Sequence, residues 1–247
     1  MSAKYDKIGK NYSTMRKTDP RISEQIHAQL ESARRILNIG AGTGSYEPEN
    51  VDLVAVEPSA KMIAQRKPGA HPVVQGNAEE LPFEDNSFSH AMTILSMHHW
   101  TDKAQAFREI NRVTTDRFVA LTFNPEVGTF WLTRDYLPEI LMNDHKIFPT
   151  IDELRSHFDN VVSTPLPIPA DCQDGFLAAY WKRPEAYLKK EVRNSISALA
   201  NRTDDDPFLT RLQQDLESGA WVAKNKDLMD QESIDAGYVI ISAKVRD

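Results

Sequence analysis

A doubly wound α/β fold, a mostly parallel sheet with helices on both faces, follows from three features of this sequence. Short apolar runs recur without the alternation of a one-sided sheet, helical stripes separate them, and glycines cluster where the first run stops. Strands buried on both faces read as continuous apolar runs. Strands alternating with helices imply βαβ units, whose crossovers are right-handed.

Asp19-Pro20 reads as an N-cap followed by proline in the first turn, and Ile22, Ile26 and Leu30 complete one stripe of a helix near 20–32. Residues 36–40, Ile-Leu-Asn-Ile-Gly, form the first strand. Residues 53–57, Leu-Val-Ala-Val-Glu, form the second, and Pro58-Ser59 opens a helix carrying Met62 and Ile63. Residues 72–75 and 88–95 give the third and fourth strands. Phe107, Ile110 and Val113 mark a helix over 102–114, and 118–123 is the fifth strand. Beyond 124 the rhythm changes. Residues 125–148 read as helical, Thr150 to Glu153 fits a capping box, and 161–168 is a sixth strand cut short by prolines. A long helical stretch is expected from 174 to 218, interrupted at Pro184 and Pro207, and residues 238–245 form the last strand.

Composition narrows the function classes. The 247 residues are 40% hydrophobic and 26% charged, ordinary for a folded globular chain. The net charge is −7, with neither a basic tail nor a basic stripe, so nucleic acid is not an expected partner. The single cysteine, Cys172, excludes an intrachain disulfide and a multi-cysteine zinc site, and His/Asp/Glu spacing offers no convincing metal site. The N-terminus shows no apolar signal core and no window reads as a membrane span, so a cytoplasmic location is expected.

The sharpest signal is Gly40-Ala41-Gly42-Thr43-Gly44 at the end of the first strand. Glycine lets the main chain turn and approach a ligand closely. The carboxyl end of this strand borders the switch point of a doubly wound sheet, where ligands bind. The sixth position of a dinucleotide G-x-G-x-x-G fingerprint is Ser45, which disfavours a nicotinamide cofactor, and no Gly-Lys-Ser/Thr follows, which excludes a triphosphate P-loop. Glu57 ends the second strand, where an acid can accept from both ribose hydroxyls.

Ile36–Gly44, then Val54-Ala-Val-Glu-Pro-Ser59 with Met62, then Gly76-Asn-Ala-Glu-Glu-Leu-Pro-Phe83 and Asp85–Phe88, resemble a class I S-adenosylmethionine-dependent methyltransferase, of the type 11 group that includes ubiquinone/menaquinone-biosynthesis enzymes. The resemblance covers about residues 5–124. It implies a seven-stranded sheet whose last strand is antiparallel. It implies S-adenosylmethionine as cofactor and S-adenosylhomocysteine as product. Gly40, Ala41, Gly42 and Gly44 would lie under the methionine part, Glu57 would take the ribose, and Pro58 and Met62 would flank adenine. Asn77-Ala78 would read the adenine edge, although the family generally has Asp before Ala. Asparagine can donate as well as accept there. Leu95 to Trp100 would face the sulfonium, and His98 or His99 could serve as a base. Tyr12 and Arg16 resemble the family's lid segment, with Arg16 set to pair with the methionine carboxylate.

On this reading 1–247 is one domain, with a lid segment at 1–32, a cofactor core at 33–124, and helical insertions at 125–157 and 170–230. Phe130, Trp131, Tyr136, Phe176, Tyr180 and Trp181 suffice for a lid, although such stripes generally pack in cores. Trp131, Tyr180 and His99 are the candidate acceptor contacts, Asp171–Phe176 is a pocket rim, and Cys172 is inert or lining. The expected activity is methyl transfer to a small-molecule acceptor. Action on protein or RNA, or cofactor binding without catalysis, are the alternatives. Sequence does not give the oligomeric state.

Overall fold

Residue Ile36 of the first strand packs against one layer of helices, while Leu37 and Ile39 pack against another. That two-sided burial explains the unbroken apolar run. The computed structural model describes residues 16–127 and 130–246. Its strands are β1 (Ile36–Ile39), β2 (Leu53–Glu57), β3 (Val73–Gln75), β4 (Phe88–Ile94), β5 (Thr114–Phe123), β6 (Asp159–Pro165), β7 (Ile168–Pro169), β8 (Ser233–Ile234) and β9 (Tyr238–Lys244). Seven form one sheet in the order β3-β2-β1-β4-β5-β9-β6, and β7 pairs separately with β8. Strands β1 to β5 run parallel, and β9 inserts antiparallel to both β5 and β6. The order reverses between β1 and β4, which creates the crevice at their carboxyl ends.

Helix α1 (Pro20–Ala28) starts where the sequence predicts: Asp19 caps it, and Ile22 and Ile26 bury its apolar face. Ser59 caps the short helix α2 (Ala60–Ile63) and Asp102 caps α3 (Lys103–Val113). Helix α4 (Pro138–Ile147) follows a π-helical turn at Leu132–Tyr136, and Thr150 caps α5 (Ile151–His157). Then come α6 (Lys190–Ser195), α7 (Pro207–Glu217), α8 (Ala220–Lys224) and α9 (Lys226–Met229).

Three expectations are corrected. Strand β5 begins at Thr114, because its polar first turn pairs with Phe88 and His90 of β4 and Arg117 donates to Ser242 across the sheet at 2.8 Å. The sixth strand lies at Asp159–Pro165; Ile168–Pro169 leaves the main sheet to pair with Ser233–Ile234. The long helical stretch is broken further than at its prolines, into turns at 176–182, a 3-10 segment at Pro184–Leu188, and two helices separated by non-helical chain over 196–206, after which Asp206 caps α7. Among the described residues, no helix is long and apolar enough to cross a membrane.

Candidate active site

The loop after β1 is held in left-handed backbone conformations at Gly40 (φ 67°), Gly42 (φ 54°) and Gly44 (φ 89°). Only glycine adopts these at little cost. At Gly40 there is also no room: an added Cβ would lie 1.9 Å from Ser96 Oγ, in the loop after β4. The two loops that edge the crevice therefore touch through a missing side chain. The Gly40 and Ala41 amides donate to the Val56 carbonyl at 2.9 and 3.0 Å, tying the loop to β2.

Glu57 is buried at the end of β2. Its Oε2 accepts from the Gly42 amide at 2.8 Å and its Oε1 from the Ser59 amide at 2.9 Å. One carboxylate thus joins the glycine loop to the start of α2. Met62 is buried, and its Cε would sit 3.4 Å from a Cβ at Gly42, so it closes that side of the loop. Pro58 and Asn77 are exposed, and Ala78, next to Asn77 in sequence, is buried.

Sequence reasoning missed the support beneath the loop. Glu47 takes Asn38 Nδ2 at 2.9 Å and Arg66 Nη2 at 2.7 Å, and the Arg66–Glu47 pair is nearly fully buried. A Cβ at Gly44 would meet Glu47 Oε2 at 3.0 Å and Arg66 Nη1 at 3.1 Å. The signal was present as an acid three residues after Gly44 and a basic residue three past the end of the next helix, but neither spacing reveals the pairing.

Leu95, just past β4, has φ 50°, a left-handed conformation costly for a branched side chain, and its amide donates to Leu121 at 2.8 Å. The strain turns the chain into the 3-10 turn Met97–His99. Leu95 and His98 line a cavity of about 290 Å³ whose other walls include Phe123, Phe148, Phe176 and Tyr238. His98 stacks on Phe148 with ring centres 4.5 Å apart. His99 lies against His98 at 3.8 Å but is not part of the cavity wall.

Arg16 lines the same cavity and pairs with Asp174, Nε to Oδ1 at 2.5 Å. Asp174 also accepts from the Tyr46 hydroxyl at 3.0 Å, and burial together with that carboxylate holds the Tyr46 phenol well above its ordinary range. Asp19 accepts from the Gln173 amide at 3.0 Å, and Arg21 reaches Asp171 at 2.8 Å. The Asp171–Asp174 strip is thus clasped by residues 16–21. Phe176 to Ala178 line the cavity, whereas Cys172 is buried off its wall, its thiol pushed up to about 12 by burial. The contact predicted at Tyr12 lies outside the described residues.

The predicted acceptor contacts Trp131 and Tyr180, like His99, stand off this cavity wall. Trp131 is 1% exposed and its indole N–H donates to the Trp181 carbonyl at 2.8 Å, so it is bound into the core. Tyr180 packs edge-on to Tyr187 at 5.7 Å and also stays off the cavity wall. Among the described residues, no cluster of histidine, cysteine and acidic side chains could hold a metal.

A family model described as a methyltransferase domain matches residues 37–117. An uncharacterised methyltransferase of Mycobacterium tuberculosis is 36% identical over 110 residues, 42% of each chain. A 2-methyl-6-phytyl-1,4-hydroquinone methyltransferase of rice is 32% identical over 40% of this chain and 32% of its own. The chain therefore spans less than half the length of these curated relatives in the match. The crystal structure of a methyltransferase assigned to an antibiotic biosynthesis pathway in Anabaena variabilis is 33% identical, covers 93% of this chain and 98% of its own, and superposes with a TM-score of 0.84.

The chain belongs to the class I S-adenosylmethionine-dependent methyltransferases. Solved structures of the same fold hold S-adenosylmethionine or S-adenosylhomocysteine. The methyltransferase's own residues fit this donor: the three left-handed glycines place no side chain over the crevice, and the Glu57 carboxylate is buried at its edge.

Proposed function

We propose that this methyltransferase methylates a small molecule bound in the aromatic cavity beside Leu95 and His98. The carrying observation is the position of that cavity. Its wall includes the loop after β4, and that loop touches the glycine loop at Gly40 through Ser96. A 290 Å³ chamber accommodates a small ring system. The net charge of −7 also argues against a nucleic-acid acceptor.

A sulfonium donor supplies an already activated leaving group, so the protein's contribution is positioning and exclusion of water. Gly40 to Gly44, bare of side chains at their three glycines, let the amino-acid end lie against the main chain, and Arg16 would share its guanidinium between Asp174 and the donor's carboxylate. Glu57 accepts from the ribose hydroxyls; Pro58, Met62, Asn77 and Ala78 enclose the adenine. Leu95 separates donor and acceptor sides, and its strained backbone fixes the height of the opening. His98, on the cavity wall, is the candidate to accept the acceptor's proton at a ring nitrogen. The single buried thiol accords with a reducing, cytoplasmic setting.

The test is binding of S-adenosylhomocysteine by calorimetry, followed by incubation of the enzyme with labelled donor and fractionated cell extract. We expect saturable binding and label in the small-molecule fraction. Label retained in protein or RNA overturns the small-molecule reading, and donor binding without any transfer overturns catalysis.

A further inference from the structure

Helix α4 presents Ile140, Asn143, Asp144 and Ile147 to the cavity, an i, i+3, i+4, i+7 stripe with a carboxylate in its middle. Asp144 is 8% exposed. Among the described residues, no hydrogen-bond donor or cation meets its side chain. Burial without compensation pushes its carboxyl up to about 7. The positive groups on the cavity wall are already matched: Arg16 by Asp174, and Arg202 by Glu139 and Asp206. Once ionised, Asp144 is therefore the uncompensated charge of the chamber.

The rest of the wall suits a cation. His98, Phe148, Phe123, Tyr238 and Phe176 follow one another at centroid separations of 4.5, 5.4, 5.5 and 4.7 Å, an unbroken row of rings. The negative face of an aromatic ring attracts an ammonium group, most strongly where water is excluded. An unmatched buried carboxylate beside such a row is the reverse of what a carboxylate-bearing or phosphorylated ligand needs.

We propose that the methyl acceptor carries a protonated amine on an apolar body, and that Asp144 is the residue that binds the amine. The proposal rests on the reading of this chamber as the acceptor site. It explains why an ionisable carboxylate stands between Ile140 and Ile147 on this stripe: its desolvation is compensated only when the ligand is present, so ligands without a cation are discriminated against.

The test uses the full-length enzyme saturated with S-adenosylhomocysteine and three probes of one shape: phenethylamine, 2-phenylethanol and 3-phenylpropionate. Calorimetry should show phenethylamine binding at least tenfold more tightly than either other probe. Asp144→Asn should weaken phenethylamine at least tenfold, leave 2-phenylethanol within twofold, and leave S-adenosylhomocysteine within twofold. Asp144→Glu should recover part of the loss. Thermal melting of each variant shows whether it is folded. Equal binding of amine and alcohol, no amine binding, or amine affinity unchanged by Asp144→Asn overturns the proposal. So does a selective loss of S-adenosylmethionine over S-adenosylhomocysteine in Asp144→Asn, which would assign the carboxylate to the donor's sulfonium. A wild-type enzyme that fails to bind S-adenosylhomocysteine defeats the donor-site assignments instead, so the two failures are distinguishable.

Discussion

The proposed donor edge and the proposed acceptor chamber of this enzyme are built on different principles. The donor edge is made largely from the stretch between β1 and the end of β2, and its geometry lies in the main chain: three left-handed glycines, amides tied to Val56, and one carboxylate bridging Gly42 and Ser59. The chamber is made from side chains that converge from Arg16, the β4 loop, α4, the 176–178 turn, the 196–202 segment and β9. A site made of backbone tolerates almost no change at its glycines and fits a constant ligand. A site made of convergent side chains can be altered one residue at a time, and there specificity resides.

The contrast predicts its largest effect at Gly40. Gly40→Ala places a Cβ 1.9 Å from Ser96 Oγ on a backbone with φ 67°. We expect a loss of about 3 kcal/mol in stability, with S-adenosylhomocysteine binding lost, measured by denaturant titration and calorimetry. Adding Ser96→Gly removes the clash but not the backbone strain, so the double variant should recover part of the stability. Full binding by Gly40→Ala alone would show that the donor edge is not fixed by its main chain.

Next in size is a pH effect confined to the chamber. Asp144 has an unfolded value near 3.8 and a folded value of about 7. Below 3.8 both states are protonated and the group contributes nothing. Between the two values the unfolded chain releases its proton while the folded one keeps it, so stability falls as pH rises. Above about 7 the penalty is complete. Asp144→Asn should therefore be more stable than wild type by about 2 kcal/mol at pH 8 and equal to it near pH 3.5. His98, Glu139 and Tyr238 border the same space but are common to both proteins, so the difference isolates Asp144. Saturating phenethylamine should narrow the gap at pH 8. A gap that does not change with pH would show Asp144 to be adequately solvated.

The same contrast explains what could be read before any coordinates. Gly40, Gly42, Gly44 and Glu57 were legible because each acts through local geometry, and the caps at Asp19 and Thr150 were legible for the same reason. The antiparallel position of β9 came from the resemblance, since no local pattern specifies which strand a last strand joins. Trp131 was misplaced because an aromatic stripe is compatible with either lid or core; the Trp181 carbonyl, fifty residues away, decides it. Asp144 carried one weak sign, a carboxylate between Ile140 and Ile147 on a helical stripe. That sign becomes informative only when the opposing wall is known to offer it no cation.

A smaller effect is expected at Glu57, whose two oxygens each accept one main-chain amide. Glu57→Gln keeps an acceptor for one amide and sets an NH2 group against the other. Loss of one charge-assisted bond, and of the ribose contact proposed for it, should weaken S-adenosylhomocysteine about tenfold, or about 1.4 kcal/mol. Unchanged affinity would remove Glu57 from the ligand and leave it as a tie between loops.

The smallest effect should come from Trp131, and it sharpens the boundary between chamber and core. Trp131→Phe removes the N–H donated to the Trp181 carbonyl and leaves that buried acceptor unsatisfied, while the edge contacts to Phe130, Tyr136, Tyr187 and Trp221 at 5.1 to 5.8 Å largely survive. The expected cost is about 1 kcal/mol, a fall in melting temperature of roughly 2–4 °C. Phenethylamine and S-adenosylhomocysteine should bind within twofold of wild type, because Trp131 reaches neither ligand. Phe148→Ala should behave in the opposite way: Phe148 stacks on His98 and joins Phe123 at 5.4 Å, so its loss opens the row of rings and weakens the amine probe. If Trp131→Phe weakened the probe while its melting temperature held, Trp131 would belong to the acceptor wall after all, and the division between a backbone-made donor edge, a ring-lined chamber and a separate aromatic core would have to be redrawn.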